Sequence, residues 1–352
     1  MTNLIIADIK SFNNNGKSTG HYFSVAKNYL DLYSNICNVK IAGGPIYNRH
    51  FKNNELFNLP YETKSTNNKI INKWNVLKNA YYLFRNTSLN DIIIMQKCGT
   101  ITTFLTIILF ANKTRNNIFF IEYDTEAINS ILKRIIYSLA KNKINGVICP
   151  NDTVGKAYNL PYCLVTDYIY STKNNVIPID YSLKQYDFCV IGSIWPDKGV
   201  IEVANKLKNT QYKLIIAGKP CNENIKNELK NIAENSPNIE LHLGYVSEKA
   251  YYNYITNSKY CILNYQGCYN DRSSGVILDV LFNKVPIIAH RCNATLLIEE
   301  ENSGYLYNTI NEFHPNEVLN EQIYKKYISG IENFLIKQSL YKEKIIRFLN
   351  LK

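Results

Sequence analysis

Short apolar runs alternate with longer amphipathic segments along the first half of the chain. The runs hold five to seven residues and are rich in isoleucine, valine and phenylalanine, a composition typical of buried strands. They cover residues 3–8, 91–96, 117–123 and 146–150. Apolar residues at helical spacing lie between them and predict helices. The predicted helices are residues 20–33, 74–85, 101–112 and 126–141.

The second half of the chain repeats this alternation. Its apolar runs predict strands at residues 187–193, 213–218, 239–244, 259–265 and 285–290. The predicted helices between them are residues 199–208, 223–234, 247–256 and 275–283. Because strands joined by crossover helices form parallel sheets covered on both faces, each half predicts a doubly wound α/β domain.

A polar stretch, STKNNVIPIDYSLKQY at residues 171–186, separates the two halves and is the predicted linker. A chain of 352 residues is too long for one ordinary core and suits two domains. The predicted domains cover residues 1–170 and 187–325, and a helical segment follows over residues 326–352. Apolar positions near the end of the chain predict two helices with a break near Ser329–Gly330.

The stretch YNDRSSGVILDVLFNKVPIIA, residues 269–289, puts charges and small residues where a helix is predicted to begin. Two serines and Gly275 would present backbone N–H groups at the helix N-terminus, where the dipole favours an anion. Arg272 adds a planar cation suited to phosphate oxygens, and Asp279 follows one turn into the helix. The stretch therefore predicts a nucleotide diphosphate site. The alternative is an ordinary N-capped helix with a solvated Asp279.

Three further segments place glycines and a lysine at predicted strand ends. In VIGSIWPDKGVIEVANKL, residues 190–207, Lys198 stands at the next helix start, where a lysine is a natural partner for phosphate. The segment LIIAGKP ends its strand on Gly218. The segment LHLGYVSEKAYYNYI places Gly244 and Val246 at the next strand end. All three segments present backbone groups at one edge of the second sheet.

These segments, in this order, resemble the donor domain of GT-B glycosyltransferases, in particular the retaining family 4. The match runs from about residue 187 to residue 305 and ends at EENSGYLY. The family's E-x7-E signature corresponds here to Asp271 and Asp279, both one methylene shorter. The resemblance implies two Rossmann-like domains whose parallel sheets face each other across a cleft, with a last helix that crosses back to the first domain.

The resemblance also implies roles for individual residues. Lys198 would bind the donor pyrophosphate, Asp271 would contact the donor sugar, and Asp279 would bond the ribose. Backbone groups around Tyr245 would hold the base. Ser193 stands where the family usually has an arginine, which puts the identity of the donor in doubt. The implied donor-binding residues are Gly192, Ser193, Lys198, Gly218, Gly244, Tyr245, Val246, Arg272, Ser273, Ser274, Gly275 and Asp279.

Two segments of the first half are candidates for the acceptor side. The loop in NNNGKSTGHYFSVAKNYL matches a glycine-rich loop of the family less closely, and a plain surface loop is the alternative. In FFIEYDTEA, Glu122 and Asp124 stand where the family often has a histidine, and a carboxylate there could orient the acceptor or accept its proton. A helix N-cap at Asp124 is the alternative. The predicted acceptor-side residues are Gly16, Gly20, His21 and Tyr123, and the predicted catalytic residues are Asp271, Lys198, Glu122, Asp124 and His21.

Composition and charge narrow the class of protein. Nine cysteines without a C-x-x-C pair indicate reduced cytosolic thiols, and the N-terminus lacks the pattern of a signal peptide. Residues 1–180 hold 20 basic against 11 acidic residues, which fits an anionic membrane surface, a phosphorylated partner or simple solubility. No pattern favours a nucleic acid. The apolar segment at residues 100–113 predicts a helix that is either buried against the sheet or dips into a bilayer.

The sequence therefore predicts a cytoplasmic glycosyltransferase, with a peripheral position on the inner membrane face as an extension of that hypothesis. It would move a sugar from a UDP- or GDP-sugar, UDP favoured, to a hydroxyl of a glycan or lipid-linked acceptor in bacterial surface polysaccharide or lipopolysaccharide synthesis. No metal or cofactor is expected, because cationic side chains and helix N-termini meet the phosphate charge. The alternatives are a sugar-nucleotide epimerase of the same fold and a catalytically silent carbohydrate-binding or scaffold protein.

Overall fold

A computed structural model describes residues 3–13, 22–96, 100–112, 114, 116–165, 178–270 and 274–351. The chain divides into two compact units. The first unit comprises Met1–Lys173 and Ser339–Lys352, and the second comprises Asn174–Gln338. Each unit is built around its own parallel sheet, with helices between successive strands.

The first unit contains a seven-stranded parallel sheet in the order β4-β3-β1-β6-β7-β8-β9. The strands of this unit, including a separate two-stranded pair of β2 and β5, are β1 Asn3–Ala7, β2 Phe12–Asn13, β3 Asn38–Gly43, β4 Leu56–Asn58, β5 Thr63–Lys64, β6 Ile92–Gln96, β7 Asn117–Ile121, β8 Gly146–Cys149 and β9 Tyr162–Leu164. Its helices are α1 Tyr22–Tyr33, α2 Lys69–Asn86, α3 Ile101–Phe110, α4 Ile131–Lys141 and α5 Asp152–Tyr158. Apolar clusters cover both faces of the large sheet.

Polar side chains fix the starts of four helices in the first unit. Asn68, Thr100, Ser130 and Asn151 each accept a hydrogen bond from a backbone N–H in the first turn of α2, α3, α4 and α5. Such caps satisfy N–H groups that have no partner inside the helix. The predicted helix 126–141 is therefore shorter than expected, because a separate 3₁₀ turn at Glu126–Ile128 precedes the cap of α4.

The second unit contains a six-stranded parallel sheet in the order β12-β11-β10-β13-β14-β15. Its strands are β10 Tyr186–Ile191, β11 Leu214–Gly218, β12 Ile239–Leu243, β13 Ser258–Leu263, β14 Ile287–His290 and β15 Gly304–Tyr307. Its helices are α6 Val200–Leu207, α7 Glu223–Glu234, α8 Glu248–Thr256, α9 Gly275–Phe282, α10 Leu296–Glu300 and α11 Pro315–Val318. The strand order reverses between β10 and β13, and such a switch point opens a crevice at the carboxyl ends of the strands.

The chain ends in one continuous helix, α12 Glu321–Leu349, so the predicted break near Gly330 is wrong. A Cβ added at Gly330 would lie 2.1 Å from the carbonyl oxygen of Asn302. The glycine therefore permits close packing of the helix and does not end it. From Ser339 onward α12 belongs to the first unit, and Ile345 and Leu349 are buried in its core. The chain thus returns to the first unit, as predicted.

Candidate donor-binding site

Three segments of the second unit converge at the switch point of its sheet. The loop after β10 contains Gly192, whose φ of +95° is in the region that favours glycine. A Cβ added at Gly192 would lie 3.5 Å from Lys198 Nζ and 3.6 Å from Val276 Cγ2. Lys198 closes the 3₁₀ turn that precedes α6, and Val276 is in the first turn of α9. The lysine ammonium and the start of α9 therefore both lie next to Gly192.

The side chain of the N-cap residue does not cap helix α9. Ser274 stands at the N-cap position, but its side chain makes no capping hydrogen bond. Its buried Oγ instead lies 2.7 Å from the hydroxyl of Tyr265. The Tyr265 ring stacks on Tyr269, with centroids 3.9 Å apart. The Ser274 hydroxyl is thus held in the loop and makes no capping hydrogen bond to the N–H groups at the start of α9.

The electrostatics of this corner favour an anion. A helix N-terminus carries partial positive charge, and the ammonium of Lys198 adds a full positive charge beside the same loop. Both positive groups are stabilised together when an anion such as a phosphate binds between them. The arrangement suits a pyrophosphate better than a carbohydrate hydroxyl, because hydroxyl groups carry no net charge.

Asp279 lies one turn into α9 and is buried, so the predicted alternative of a solvated Asp279 is wrong. The hydroxyl of Tyr251, on α8, donates a hydrogen bond of 2.9 Å to Asp279 Oδ2. Burial raises the pKa of the neighbouring Tyr252, and the negative charge of Asp279 raises it further. A buried carboxylate held in this way can accept hydrogen bonds from ligand hydroxyls in a fixed geometry.

The carboxyl ends of β11 and β12 provide an open rim beside this corner. Gly244 has φ of +142°, and no heavy atom lies within 4 Å of the position that its Cβ would take. Its N–H donates to the carbonyl oxygen of Gly218 at 2.9 Å. Tyr245 is 76% exposed, Ser193 is also exposed, and Val246 is partly buried. This rim has room for a planar group such as a nucleotide base.

Buried polar groups also line the carboxyl ends of three adjacent strands in the first unit. Asp8 follows β1, Gln96 ends β6 and Glu122 follows β7, and all three are buried. Asp8 accepts hydrogen bonds from the Tyr47 hydroxyl at 2.9 Å and from the backbone of Lys10 at 3.1 Å. Burial raises the pKa of Asp8. Asp8 and Gln96 were not among the predicted site residues.

The structure describes some of the remaining predicted residues and not others. Tyr123 is partly buried, and Asp124 Oδ1 accepts the backbone N–H of Glu126 at 2.9 Å. Asp124 therefore orders the turn that precedes α4. Six predicted residues lie outside the described residues, and these are Gly16, Gly20, His21, Asp271, Arg272 and Ser273. Across the described ranges, no three His, Cys, Asp or Glu side chains are grouped so that they could hold a metal ion.

Comparison with known proteins identifies the fold. No protein-family model matches the chain, and no curated protein matches it by sequence. A glycosyltransferase from Rickettsia africae is 14% identical, with a TM-score of 0.69, and the match covers 99% of this chain and 97% of that one. HepE of Anabaena, solved with UDP-glucose, is 12% identical, with a TM-score of 0.60 and 99% of each chain covered.

TarM of S. aureus, solved with UDP and α-GlcNAc-glycerol, is a further structural neighbour. It is 16% identical, with a TM-score of 0.57, and the match covers 78% of this chain and 59% of TarM. The match thus covers less than two thirds of the length of TarM. These neighbours are GT-B glycosyltransferases, and at such identities the likeness shows the fold alone. The chain has the GT-B fold, which confirms the predicted fold class.

Proposed function

We propose that the protein is a glycosyltransferase that takes a sugar from a nucleotide diphosphate sugar, with UDP as the favoured base. The main support is the convergence of Lys198, Gly192 and the start of α9 at the switch point of the second sheet. This corner fits the charge of a pyrophosphate. Neighbours of the same fold that were solved with UDP or UDP-glucose support the choice of donor.

Each of these groups would have a separate role in such a transfer. Lys198 and the N-terminus of α9 would stabilise the negative charge that grows on the leaving diphosphate. Asp279 would bond the ribose hydroxyls, and the rim at Gly244 would hold the base. Because these groups neutralise the leaving phosphate, the proposed reaction needs neither a metal ion nor a cofactor besides the donor. Retention at the anomeric carbon follows from the family 4 resemblance and is part of the proposal.

The acceptor in this proposal is a hydroxyl of a glycan or of a lipid-linked sugar. Glu122 is buried at the carboxyl edge of the first sheet, where a carboxylate can orient a hydroxyl or take its proton. We place the reaction in bacterial surface polysaccharide synthesis, in the cytoplasm and at the inner membrane face. Six cysteines of the described ranges are buried free thiols, as is usual in a reducing compartment, and these are Cys37, Cys149, Cys163, Cys189, Cys261 and Cys292.

A nucleotide screen by thermal shift tests the donor site directly. We expect UDP, alone among UDP, GDP, ADP and CMP, to raise the melting temperature of the wild-type protein. A ligand at 100 times its dissociation constant adds about 2.7 kcal/mol of stability. The Asp279→Ala variant should lose that shift, because the buried carboxylate that meets the ribose is gone.

The outcomes of this screen separate the proposal from its rivals. A shift in melting temperature with a different nucleotide would identify a different donor base and leave the transferase proposal intact. No shift with any nucleotide or nucleotide sugar, in a protein that melts cooperatively, would favour a silent carbohydrate-binding protein. Conversion of a UDP-sugar to its epimer without any acceptor would favour an epimerase. A UDP shift that survives in Asp279→Ala would place the nucleotide elsewhere.

The Tyr251 hydroxyl should raise the affinity of the same site for UDP. Tyr251→Phe removes the hydrogen bond that holds Asp279 Oδ2, and a hydrogen bond of this kind contributes about 1 kcal/mol. We therefore expect UDP to bind about five times more weakly by isothermal titration calorimetry. Tyr252→Phe, the next residue on α8, is the matched control and should bind UDP as the wild type does. Equal affinities for all three proteins would mean that Tyr251 does not position Asp279 for the ligand.

A further inference from the structure

Helix α4 carries an apolar stripe on the side that faces away from the core. Ile131, Leu132, Ile135 and Leu139 are 77%, 59%, 55% and 63% exposed. At about 100° per residue these positions fall within one face of the helix. The opposite face packs Tyr137 and Ala140 into the first unit. An ordinary surface helix has polar residues on its outer face, so α4 is apolar on a side that the fold does not bury.

Exposed apolar side chains also lie on α2 and α3. Helices α2, α3 and α4 bury their inner faces in the same cluster, on one side of the large sheet, and α3 contacts both of the others. Leu105 and Leu109 of α3 are exposed, whereas the other residues of that helix are buried or partly buried. On α2, Ile70 and Trp74 are 73% and 58% exposed. Exposed apolar side chains therefore occur on three helices that pack side by side, and not on α4 alone.

The charge on these three helices has one sign. Helices α2, α3 and α4 contain seven lysine and arginine residues and no aspartate or glutamate. Some of the cations lie against exposed rings, with Lys78 Nζ 5.8 Å from the Trp74 ring and Arg85 5.6 Å from the Tyr81 ring. Apolar side chains flanked by lysine, arginine, tryptophan and tyrosine are typical of surfaces that enter the headgroup region of a bilayer.

We propose that the outer faces of α2, α3 and α4 form a surface that binds anionic phospholipid bilayers. The exposed residues of α4 would enter the boundary between headgroups and acyl chains, and the flanking cations would contact lipid phosphates. The cationic charge argues against a second copy of this chain as the occupant, because two such surfaces would repel each other. No helix in the described ranges is long and apolar enough to cross a membrane.

This surface lies within the first unit, and its binding to lipid requires no nucleotide. The inference deepens the proposed function, because it supplies the membrane contact that a lipid-linked acceptor requires. A failure of lipid binding would leave the donor-site proposal untouched. Conversely, if the protein binds lipid but no nucleotide raises its melting temperature, the lipid-binding proposal is supported and the transferase proposal is contradicted.

Co-sedimentation with vesicles tests the surface. We expect the protein to bind vesicles with about one third phosphatidylglycerol at least tenfold more strongly than pure phosphatidylcholine vesicles, because each basic residue near an anionic surface contributes about fivefold. The double variant Ile131→Ser/Leu139→Ser keeps every charge and should lose most of the binding to the anionic vesicles. Leu183→Ser, at a 69% exposed leucine of the second unit, is the control and should bind as the wild type does.

Several results would overturn the proposal. The proposal is wrong if the wild-type protein stays in the supernatant when anionic vesicles are sedimented. Equal sedimentation of the double variant and the wild type would also contradict it, as would equal loss in Leu183→Ser. Concentration-dependent dimers that disappear in the double variant, without vesicle binding, would assign the surface to a second copy. The melting temperature of each variant is measured as the folding control, and we expect it to equal that of the wild type.

Discussion

Replacing Lys198 with alanine should lower kcat/KM for sugar transfer by about 100-fold to 1,000-fold. The ammonium of Lys198 lies beside Gly192 and the first turn of α9, where the leaving diphosphate would develop its charge. A preorganised cation at such a point stabilises the transition state more than the ground state. We therefore expect most of the loss in kcat and a smaller rise in KM for the donor. Steady-state kinetics on a UDP-sugar would measure both.

Two further lysine variants sharpen this test. Lys198→Arg keeps the charge but changes its shape, and it should recover part of the lost activity. Lys208→Ala removes an exposed cation of the same unit, whose Nζ donates a hydrogen bond of 3.0 Å to Asn205 Oδ1, and it should be silent. Unchanged kcat/KM in Lys198→Ala would remove Lys198 from the site. An equal loss in Lys208→Ala would indicate a general effect of charge.

Gly218→Ala should destabilise the second unit by at least about 3 kcal/mol. An added Cβ would lie 1.7 Å from the carbonyl oxygen of Gly192 and 2.8 Å from its carbonyl carbon. Both are backbone atoms at the end of the neighbouring strand β10, so no side-chain rotation relieves the clash. The Gly192 loop would have to move, and with it the corner that Lys198 shares. We expect a lower urea midpoint and a loss of nucleotide binding together.

Gly244→Ala is the natural comparison for this variant. The position is open, and the substitution costs only the strain of a positive φ, on the order of 1–3 kcal/mol. Urea unfolding followed by circular dichroism should therefore rank wild type first, Gly244→Ala second and Gly218→Ala last. A Gly218→Ala protein as stable as the wild type would mean that the two strand ends separate easily.

The sequence predicted the strands with continuous or alternating apolar runs and missed the very short strands and those interrupted by polar residues. β6 and β11 are continuous apolar segments and were found to within two residues. β4 and β9 have only three residues each, and a run of that length has no usable periodicity. β3 begins with polar residues that interrupt its pattern. Gly330 was taken for a helix break because composition does not reveal that a neighbouring carbonyl approaches it.

The candidate site shows a similar limit. Lys198 and Asp279 were predicted because they belong to a spaced motif at predicted strand and helix ends, and their roles stay predictions. Tyr251 and Tyr265, which hold Asp279 and Ser274, stand among many tyrosines and have no distinguishing neighbours in sequence. The outward apolar stripe of α4 has the same helical spacing as a buried stripe, so only the packing of the other face distinguishes the two.

The return of α12 to the first unit has a consequence for the order of folding during synthesis. The second unit is one uninterrupted segment of the chain, whereas the first unit needs both its beginning and the last turns of α12. Ile345, Leu349 and Leu351 complete a core whose other buried residues come from the first half of the chain. On the ribosome, the second unit is therefore the first to have all of its residues available. The first unit must wait with part of its apolar surface uncovered, and it is there that a nascent chain would need the protection of a chaperone.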